Sequence, residues 1–514
     1  MKTIPPPCPE PETGRKYWRS LDQLQDKPEV REWIEREFPD GASLAPDGES
    51  RRDWMKIMSA SFLLAGMGGL ATGCRRPEEE LLPFGKQPEG YIHGGYKFFA
   101  TAVPNRDAAT AVLAKWQDGR PIKLEANPLA PGSHGTCACV QAAILDLYDP
   151  DRATRHTFKG SDVSSAKVVD ALSALSKQFA ATGGKGLFVL AERSSSPSRA
   201  RLQKALKDKL EGLVWADYEA IDLSAGRAAT TIAYGAGVRA VVKVAHAKRI
   251  LSLDADLFGA EQGAAGAMAG YAKHRKPGDE MNRLYVVESL LSTTGGQADH
   301  RLRVKPSEIL AVAAQVVSVP SEGEAASIQD VVSALNAGSV DTLVILGGNP
   351  AYNAPADLKF SEAAKKAKNV VRLGYYEDET ASIATWHIAA SHFLESWGDA
   401  RSVNGTVLPV QPLLQPLFGG LTDLEVLARL AGIEQTSPYE LTRQTLKDLG
   451  ADGDEGWKKF LHDGFLADSA YKPSAVEFNA GAAAAAISGP ASKAEGFEVV
   501  LHRDAKVDDG RGLN

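Results

Sequence analysis

Cysteine is the residue type in this sequence best suited to redox chemistry, because thiolates hold iron–sulfur clusters. Four cysteines occur, at Cys8, Cys74, Cys137 and Cys139. A self-contained ferredoxin needs four thiolates in tight C-x₂-C-x₂-C spacing, and no such run is present. Cys137 and Cys139 supply two thiolates at most, so we expect two small buried or free thiols there. On its own the chain therefore has no conductor for electrons.

The segment from Trp386 to Gly398 contains two histidines and a glutamate, His387, His392 and Glu395. Two histidines with a carboxylate can form a metal site. On a helix, however, residues five apart are separated by about 140°, and no H-E-x-x-H arrangement occurs. We therefore expect structural histidines and no metal here.

A glycine-rich turn, Gly347-Gly348-Asn349-Pro350, directly follows the apolar run 341–346. Folds with alternating strands and helices bind ligands at the carboxyl ends of their strands. Glycine also serves at such corners for its positive φ, whether or not anything binds. The turn is therefore either a ligand cleft or an ordinary strand-to-helix corner.

After Ser164, predicted strands and helices alternate along the sequence, and these elements must position the residues above. The alternation predicts βαβ units and a mostly parallel sheet. Between 91 and 151, turn residues interrupt brief apolar runs, which favours a small β-rich domain. The predicted helices are 167–179 and 198–210, and the predicted strands are 186–190, 249–253, 283–287, 341–346 and 370–373.

Composition limits the class of protein. With 514 residues, 44% hydrophobic and 24% charged, the chain is globular and large enough for more than one core. A net charge of −7 and the lack of a basic stretch interleaved with aromatic residues make nucleic acid an unsuitable partner.

Arg51 and Arg52 precede a weakly hydrophobic stretch, 57–73, too short and glycine-rich for a stable membrane-spanning helix. This pattern is typical of a twin-arginine export signal, a route used by folded proteins. The alternative is an arginine pair that caps an ordinary buried helix. Upstream, apolar residues at helical spacing between 17 and 38 predict a short amphipathic helix.

Cys74 ends this stretch after small residues, which predicts a lipid-acceptor site. The leucine of the motif, Leu70, stands one place too far upstream. The alternatives are a free thiol or an uncleaved anchor. Lipidation or an uncleaved anchor would hold the protein at the membrane.

A series of short motifs resembles the molybdopterin-oxidoreductase-like subunit of alternative complex III, a bacterial membrane quinol oxidoreductase, in the same order from about residue 17 onward. The motifs are Tyr17-Trp18-Arg19-Ser20-Leu21, Ser50-Arg51-Arg52-Asp53, Cys74-Arg75-Arg76-Pro77, Asp118-Gly119-Arg120-Pro121, Asn127-Pro128, Leu147-Tyr148-Asp149-Pro150-Asp151-Arg152, Leu253-Asp254-Ala255-Asp256-Leu257, Ala298-Asp299-His300-Arg301-Leu302, Gly348-Asn349-Pro350-Ala351-Tyr352 and Leu394-Glu395-Ser396-Trp397-Gly398-Asp399-Ala400.

The resemblance implies an α/β, molybdopterin oxidoreductase-like fold, with parallel sheets flanked by helices and a small β-rich N-terminal domain. The expected ranges are a leader (1–49), an export and lipidation segment (50–74), the β-rich domain (75–160), α/β domains (161–475) and a linker toward an iron–sulfur domain (476–514). Residues 347–350 would then form a relic cofactor cleft.

The resemblance further implies a non-catalytic scaffold without a cofactor, exported to the periplasmic side of the cytoplasmic membrane. Its expected partners carry the iron–sulfur clusters and haems: a ferredoxin-like domain or subunit, an integral membrane quinol-binding subunit and c-type cytochromes. One alternative is an active molybdopterin oxidoreductase that has no cluster in this chain. Another is an exported solute-binding module.

Overall fold

The computed structural model describes residues 94–473 except 134, 222–223, 236–237, 279, 315–326 and 452, together with 25, 27, 92, 475–479, 481–482 and 498–500. The predicted export signal at Arg51 and Arg52, the predicted lipid site at Cys74, the amphipathic leader helix and most of 476–514 lie outside this range. Within the described part, no helix is long and apolar enough to cross a membrane.

Strands and helices alternate over most of the described chain. The strands are β1 Tyr96–Asn105, β2 Ala108–Gln117, β3 Arg120–Ala126, β4 His156–Phe158, β5 Ser161–Val163, β6 Leu187–Ala191, β7 Val214–Asp217, β8 Arg249–Leu253, β9 Arg283–Glu288, β10 His300–Arg303, β11 Thr342–Leu346, β12 Asn369–Gly374, β13 Trp386–Ala389, β14 Gly398–Arg401 and β15 Val407–Val410.

The helices are α1 Ala138–Ala142, α2 Leu145–Tyr148, α3 Ser165–Thr182, α4 Pro197–Lys209, α5 Ser224–Tyr234, α6 Ala264–Ala272, α7 Thr293–Gly296, α8 Pro306–Ala314, α9 Ile328–Asn336, α10 Pro350–Asn353, α11 Phe360–Ala364, α12 Glu379–Ile383, α13 Asp423–Leu430, α14 Pro438–Asp448 and α15 Gly453–Asp463. Two 3₁₀ turns occur, at Val244–His246 and Ala356–Leu358.

The first three strands form an antiparallel meander. Asp118 and Gly119 make the β2–β3 turn with φ of 45° and 89°, the left-handed values that two-residue hairpins favour. Arg106 and Asp107 make the β1–β2 turn, where Arg106 also has positive φ, at 51°. The β-rich segment predicted near the amino terminus of the body is thus present.

A seven-stranded sheet forms the centre of the molecule, in the order β5-β4-β13-β12-β11-β6-β7. The strands from β13 to β7 are parallel, whereas β4 and β5 run antiparallel at one edge. The antiparallel pair spans the domain boundary predicted at residue 160.

Both faces of this sheet are buried, which explains why β6 is apolar at every position and β11 at every position after Thr342. Leu202 and Leu206 of α4 pack on one face with α3 and α13, and α9 and α11 cover the other. Full burial of each leucine contributes about 1.5–3 kcal/mol. Helix ends are set locally: Ser164 caps α3, and Gly183 ends it with φ 62°.

A second parallel sheet, β10-β9-β8, lies between β7 and β11 in the chain. Helix α6 and the 3₁₀ turn at Val244–His246 pack on one of its faces through Ile250, Leu284 and Val286.

The fold class predicted from the sequence is confirmed: parallel strands in sheets flanked by helices, with a small β-rich meander. The helices and strands predicted between 167 and 373 are all present, with ends shifted by at most three residues. The helical geometry used to separate His387 from His392 is wrong, because the segment forms strand β13, a loop and strand β14. Its β-branched and aromatic residues pair with β12 and β4 instead of following a helical period.

Strand β14 is fastened to the amino end of α4 by the buried carboxylate of Asp399. This carboxylate accepts hydrogen bonds from Ser196 Oγ (2.5 Å), Ser198 Oγ (2.5 Å) and the Ser198 backbone N–H (3.1 Å). Burial raises the pKa of Asp399, while the serine hydrogen bonds oppose the rise.

We expect Asp399→Ala to lower the free energy of unfolding by about 2–4 kcal/mol, because three buried donors lose their acceptor. Urea unfolding of the full chain measures the change. Asp454→Ala is the matched control: its carboxylate is 75% exposed and pairs with Arg443, so the loss should stay below about 1 kcal/mol. Equal losses in the two variants would contradict the structural role of Asp399.

Candidate functional site

The crevice where ligands bind in α/β sheets lies at the switch in strand order, outside the carboxyl ends of the strands. In the large sheet this switch falls between β6 and β11, because the chain continues from β6 to β7 on one side and returns at β11 on the other. Glu192 follows β6, and Gly347 and Gly348 follow β11. The predicted turn therefore lies at the position where a ligand cleft is expected.

The side chain of Glu192 fills the space beside this turn. A Cβ atom built on Gly347 would overlap the Glu192 carboxylate, and one on Gly348 would lie 3.4 Å from Glu192 Cγ. Both glycines have positive φ, 74° and 65°. Glycine is needed here for backbone conformation and for the close approach of a carboxylate from the same chain.

Asn349 and Pro350 complete the turn as structural residues. Asn349 Oδ1 accepts from Thr380 Oγ1 at 2.7 Å, and its Nδ2 donates to Glu379 Oε2 at 2.8 Å. The latter hydrogen bond lowers the pKa of Glu379. Pro350 is buried at the first position of α10, where a missing N–H costs nothing. The turn is thus anchored to α12.

Arg199 lies at this carboxyl edge of the sheet, and its guanidinium is engaged by groups of the same chain. One nitrogen donates to the Glu192 backbone carbonyl at 2.5 Å, and another lies 3.2 Å from Asp423 Oδ2. The carboxylate of Asp423 is only 32% exposed.

Tyr375, which follows β12, lines the same region. Its side chain is 41% exposed, yet burial by surrounding protein raises its pKa, and the charges of Asp423, Glu192 and Glu395 add to the rise while Arg152 opposes it. The Tyr375 hydroxyl therefore lies among three carboxylates and one guanidinium, and the guanidinium has the strongest single influence among these charges.

The tip of the β1–β2 hairpin contacts the carboxyl edge of the large sheet on the β7 side. Arg106 Nε lies 2.9 Å from Glu219 Oε2, with both side chains 1% exposed. Glu219 Oε1 also accepts from the backbone N–H of Arg193 at 3.0 Å. The hairpin therefore binds directly beside the end of β6.

These residues do not fit a cofactor with a pyrophosphate group, such as a molybdopterin dinucleotide. Phosphate sites use free backbone N–H groups and uncommitted cations. Here the Glu192 carboxylate occupies the space beside Gly347, where a phosphate would approach the backbone, and Arg199 is paired with Asp423. A phosphate in that space would overlap Glu192, and the guanidinium of Arg199 is already engaged.

Arg152 and Glu395 form a buried bidentate ion pair on the other side of Tyr375. Their nitrogen and oxygen atoms lie 3.0 and 2.7 Å apart, and both side chains are at most 3% exposed. Glu395 also accepts from the backbone N–H of His392 and Leu417. Burial would raise the pKa of Glu395, but these hydrogen bonds bring it below its ordinary value.

The two histidines predicted to be structural, His387 and His392, make different contacts. His392 Nε2 is 3.1 Å from the Ala143 carbonyl, and its Nδ1 accepts from the Leu394 N–H, which indicates a neutral ring with the proton on Nε2. His387 is buried on β13 beside Arg372, and neither ring nitrogen has a hydrogen-bond partner. Among the described residues no group of His, Cys, Asp and Glu could hold a metal ion.

Cys137 and Cys139 lie at the start of α1, Cys137 exposed and Cys139 half-buried.

The sequence analysis did not identify Glu192, Arg199, Asp423 and Tyr375 as residues of this site. Only the position of Glu192 directly after a fully apolar strand could have indicated a residue at the carboxyl edge.

No protein-family model matches this sequence, and no curated protein matches it. Among solved structures, acetylene hydratase from Pelobacter acetylenicus is similar, with a TM-score of 0.50 and 10% identity over 70% of this chain and 72% of that chain. The class defined by this likeness and by the sheet topology is a molybdopterin oxidoreductase-like fold. At this identity the likeness concerns the fold alone.

We expect Arg152→Met to lower the free energy of unfolding by about 3–5 kcal/mol, because it leaves the buried Glu395 carboxylate unpaired. Arg155→Met is the matched control. Arg155 pairs with Glu377 and Asp162 at the surface, with 47% of its side chain exposed, so its loss should cost below about 1 kcal/mol. The denaturant midpoints of both variants at neutral pH measure the two losses. Similar midpoints would contradict the claim that Arg152 stabilises the fold by pairing with buried Glu395.

The buried histidines predict acid sensitivity. Burial, followed by the positive charge of Arg372 or Arg152, lowers the pKa of His387 and His392 from 6.5 to about 4. Between these values the unfolded chain binds protons that the folded chain excludes. Stability is therefore full above pH 6.5 and decreases toward pH 4, by about 1.4 kcal/mol per pH unit and histidine.

Burial also lowers the pKa of His156, so His387 is one of three histidines that contribute. We expect His387→Leu to reduce the slope by up to about 1.4 kcal/mol per pH unit, as measured by urea unfolding at pH 7, 6 and 5. His462→Asn is the control, because the His462 side chain is 84% exposed, and it should keep the wild-type slope. An unchanged slope in His387→Leu would show that this ring does not exclude the proton.

Proposed function

We propose that this protein is a non-catalytic scaffold subunit of a membrane quinol oxidoreductase of the alternative complex III type. The observation that supports this best is the crevice at the β6–β11 switch point. Glu192 fills the space beside Gly347, and the nearby Arg199 is paired with Asp423. A cleft that is filled by a carboxylate side chain, and whose nearby cation is already paired, is unsuited to an anionic dinucleotide cofactor.

The ordered motifs quoted from the sequence also support the proposal, and the fold agrees with it at the coarser level of a molybdopterin oxidoreductase-like architecture. Electron transfer in such a complex would take place in its partners. These are an iron–sulfur ferredoxin-like domain or subunit, an integral membrane quinol-binding subunit and c-type cytochromes. The chain would be exported through Arg51 and Arg52 to the periplasmic side and anchored through Cys74.

The decisive experiment is metal and pterin analysis of the protein purified from its native membranes with a mild detergent. We expect molybdenum, tungsten and pterin at background level in the isolated chain, because Glu192 occupies the space where a phosphate of the cofactor would approach the backbone. Iron and haem should appear only in fractions that retain partner subunits.

A molybdopterin enzyme from the same membranes, purified in parallel, controls for loss of cofactor during preparation. Stoichiometric molybdenum or tungsten with pterin in this chain would contradict the proposal and support an active molybdopterin oxidoreductase without an iron–sulfur cluster of its own. Recovery of the protein from mild detergent without any haem or iron–sulfur partner would contradict the scaffold role.

A further inference from the structure

The second parallel sheet, β10-β9-β8, has one open face. Its other face packs through Ile250, Leu284 and Val286 against helix α6 and the 3₁₀ turn at Val244–His246. Parallel sheets in α/β proteins are normally covered on both faces. On the open side a concavity of about 470 Å³ is lined by residues of all three strands.

The register identifies the residues of this open face, because paired residues on neighbouring strands point to the same side. Leu251 pairs with Tyr285, and Tyr285 pairs with His300. The rings of Tyr285 and His300 stack with centroids 5.0 Å apart. Leu251 is 45% exposed and Leu302 is 56% exposed. The centre of the face is therefore apolar and uncovered.

The amino end of the face carries positive charge. Arg249 and Arg283 are register partners at the amino ends of β8 and β9, both are exposed, and Arg283 also lies 3.9 Å from Asp299. They follow the same alternation as Leu251 and Tyr285, so their side chains belong to the open face. The face is thus positive at the amino ends of the strands and apolar in the middle.

We propose that this open face binds an amphipathic helix of a partner polypeptide, with the helix antiparallel to the strands and acidic residues in its last turn. Neighbouring strands are about 4.8 Å apart, so three strands span about 10 Å between their axes. This width matches a single helix with its side chains, about 10–12 Å across.

Charge fixes the orientation. A helix carries partial positive charge at its amino end and partial negative charge at its carboxyl end. Antiparallel docking places the carboxyl end of the helix near Arg249 and Arg283. Acidic side chains in the last turn would pair with these arginines, and apolar residues at i, i+3, i+4 and i+7 would meet Leu251 and Leu302.

A second copy docked through the same face is a poorer occupant. A two-fold contact places each residue of the face against the same patch of its copy, so two stacked Tyr285–His300 pairs and two exposed leucine surfaces would meet with no helix to fill the concavity. This inference does not depend on the proposed function, because it rests on a different sheet from the β6–β11 crevice.

The probe is a synthetic helical peptide of about four turns, with leucines at i, i+3, i+4 and i+7 and glutamates in its last turn. Its control has lysines in place of the last-turn glutamates. Binding to the full chain is followed by fluorescence anisotropy. We expect Leu302→Ser to weaken binding about tenfold and Arg249→Glu to weaken it about threefold or more.

Lys459→Glu, which makes the same change of charge on an exposed position of α15, should leave binding unchanged. The inference is supported if the glutamate peptide binds more tightly than the lysine peptide and only the variants of the open face weaken it. It is overturned if neither peptide binds, if both bind equally, or if Leu302→Ser and Lys459→Glu behave alike. It is also overturned if sedimentation shows self-association that Leu302→Ser abolishes.

Discussion

The buried ion pair of Arg152 and Glu395 joins parts of the chain that are distant in sequence. Arg152 also donates to the Leu147 carbonyl, and Glu395 accepts from the backbone of His392 and Leu417. The pair therefore fixes the loop after β13 against the segment that follows α2. Because removal of one partner would leave a charge buried, these segments are held together as one unit. The position of the sheet's carboxyl edge depends on this constraint.

The same edge is filled by polar groups that bind one another. Glu192 lies against Gly347, Arg199 binds Asp423, and Arg106 of the meander binds Glu219. In an α/β fold, this is the place where open N–H groups and free side chains would receive a ligand. Here the chain's own side chains supply both the charges and their partners, which favours rigidity at a position that other proteins of similar fold can use for binding.

The architecture could be predicted because burial on both faces makes β6 wholly apolar and β11 apolar after Thr342, and this is visible in the sequence. The contents of the crevice could not be predicted, because Glu192 meets Gly347 across a gap of 155 residues in the chain. Several quoted motifs nevertheless contain polar contacts within the fold: Arg152, Glu395 and Asp399 lie in buried contacts and Asp299 in a half-buried one. Those motifs indicate where the fold fixes charges, without revealing the partner.

The two parallel sheets differ in what they leave open. In the large sheet both faces are covered, and ion pairs lie at the carboxyl edge. In the small sheet one apolar face with Leu251 and Leu302 remains exposed, which costs free energy. An exposed apolar face of a parallel sheet is stabilised when something covers it, whereas an edge whose charges are already paired gains less from a charged ligand. The open face of the small sheet is therefore a part of the described chain where association with a partner would bury apolar surface.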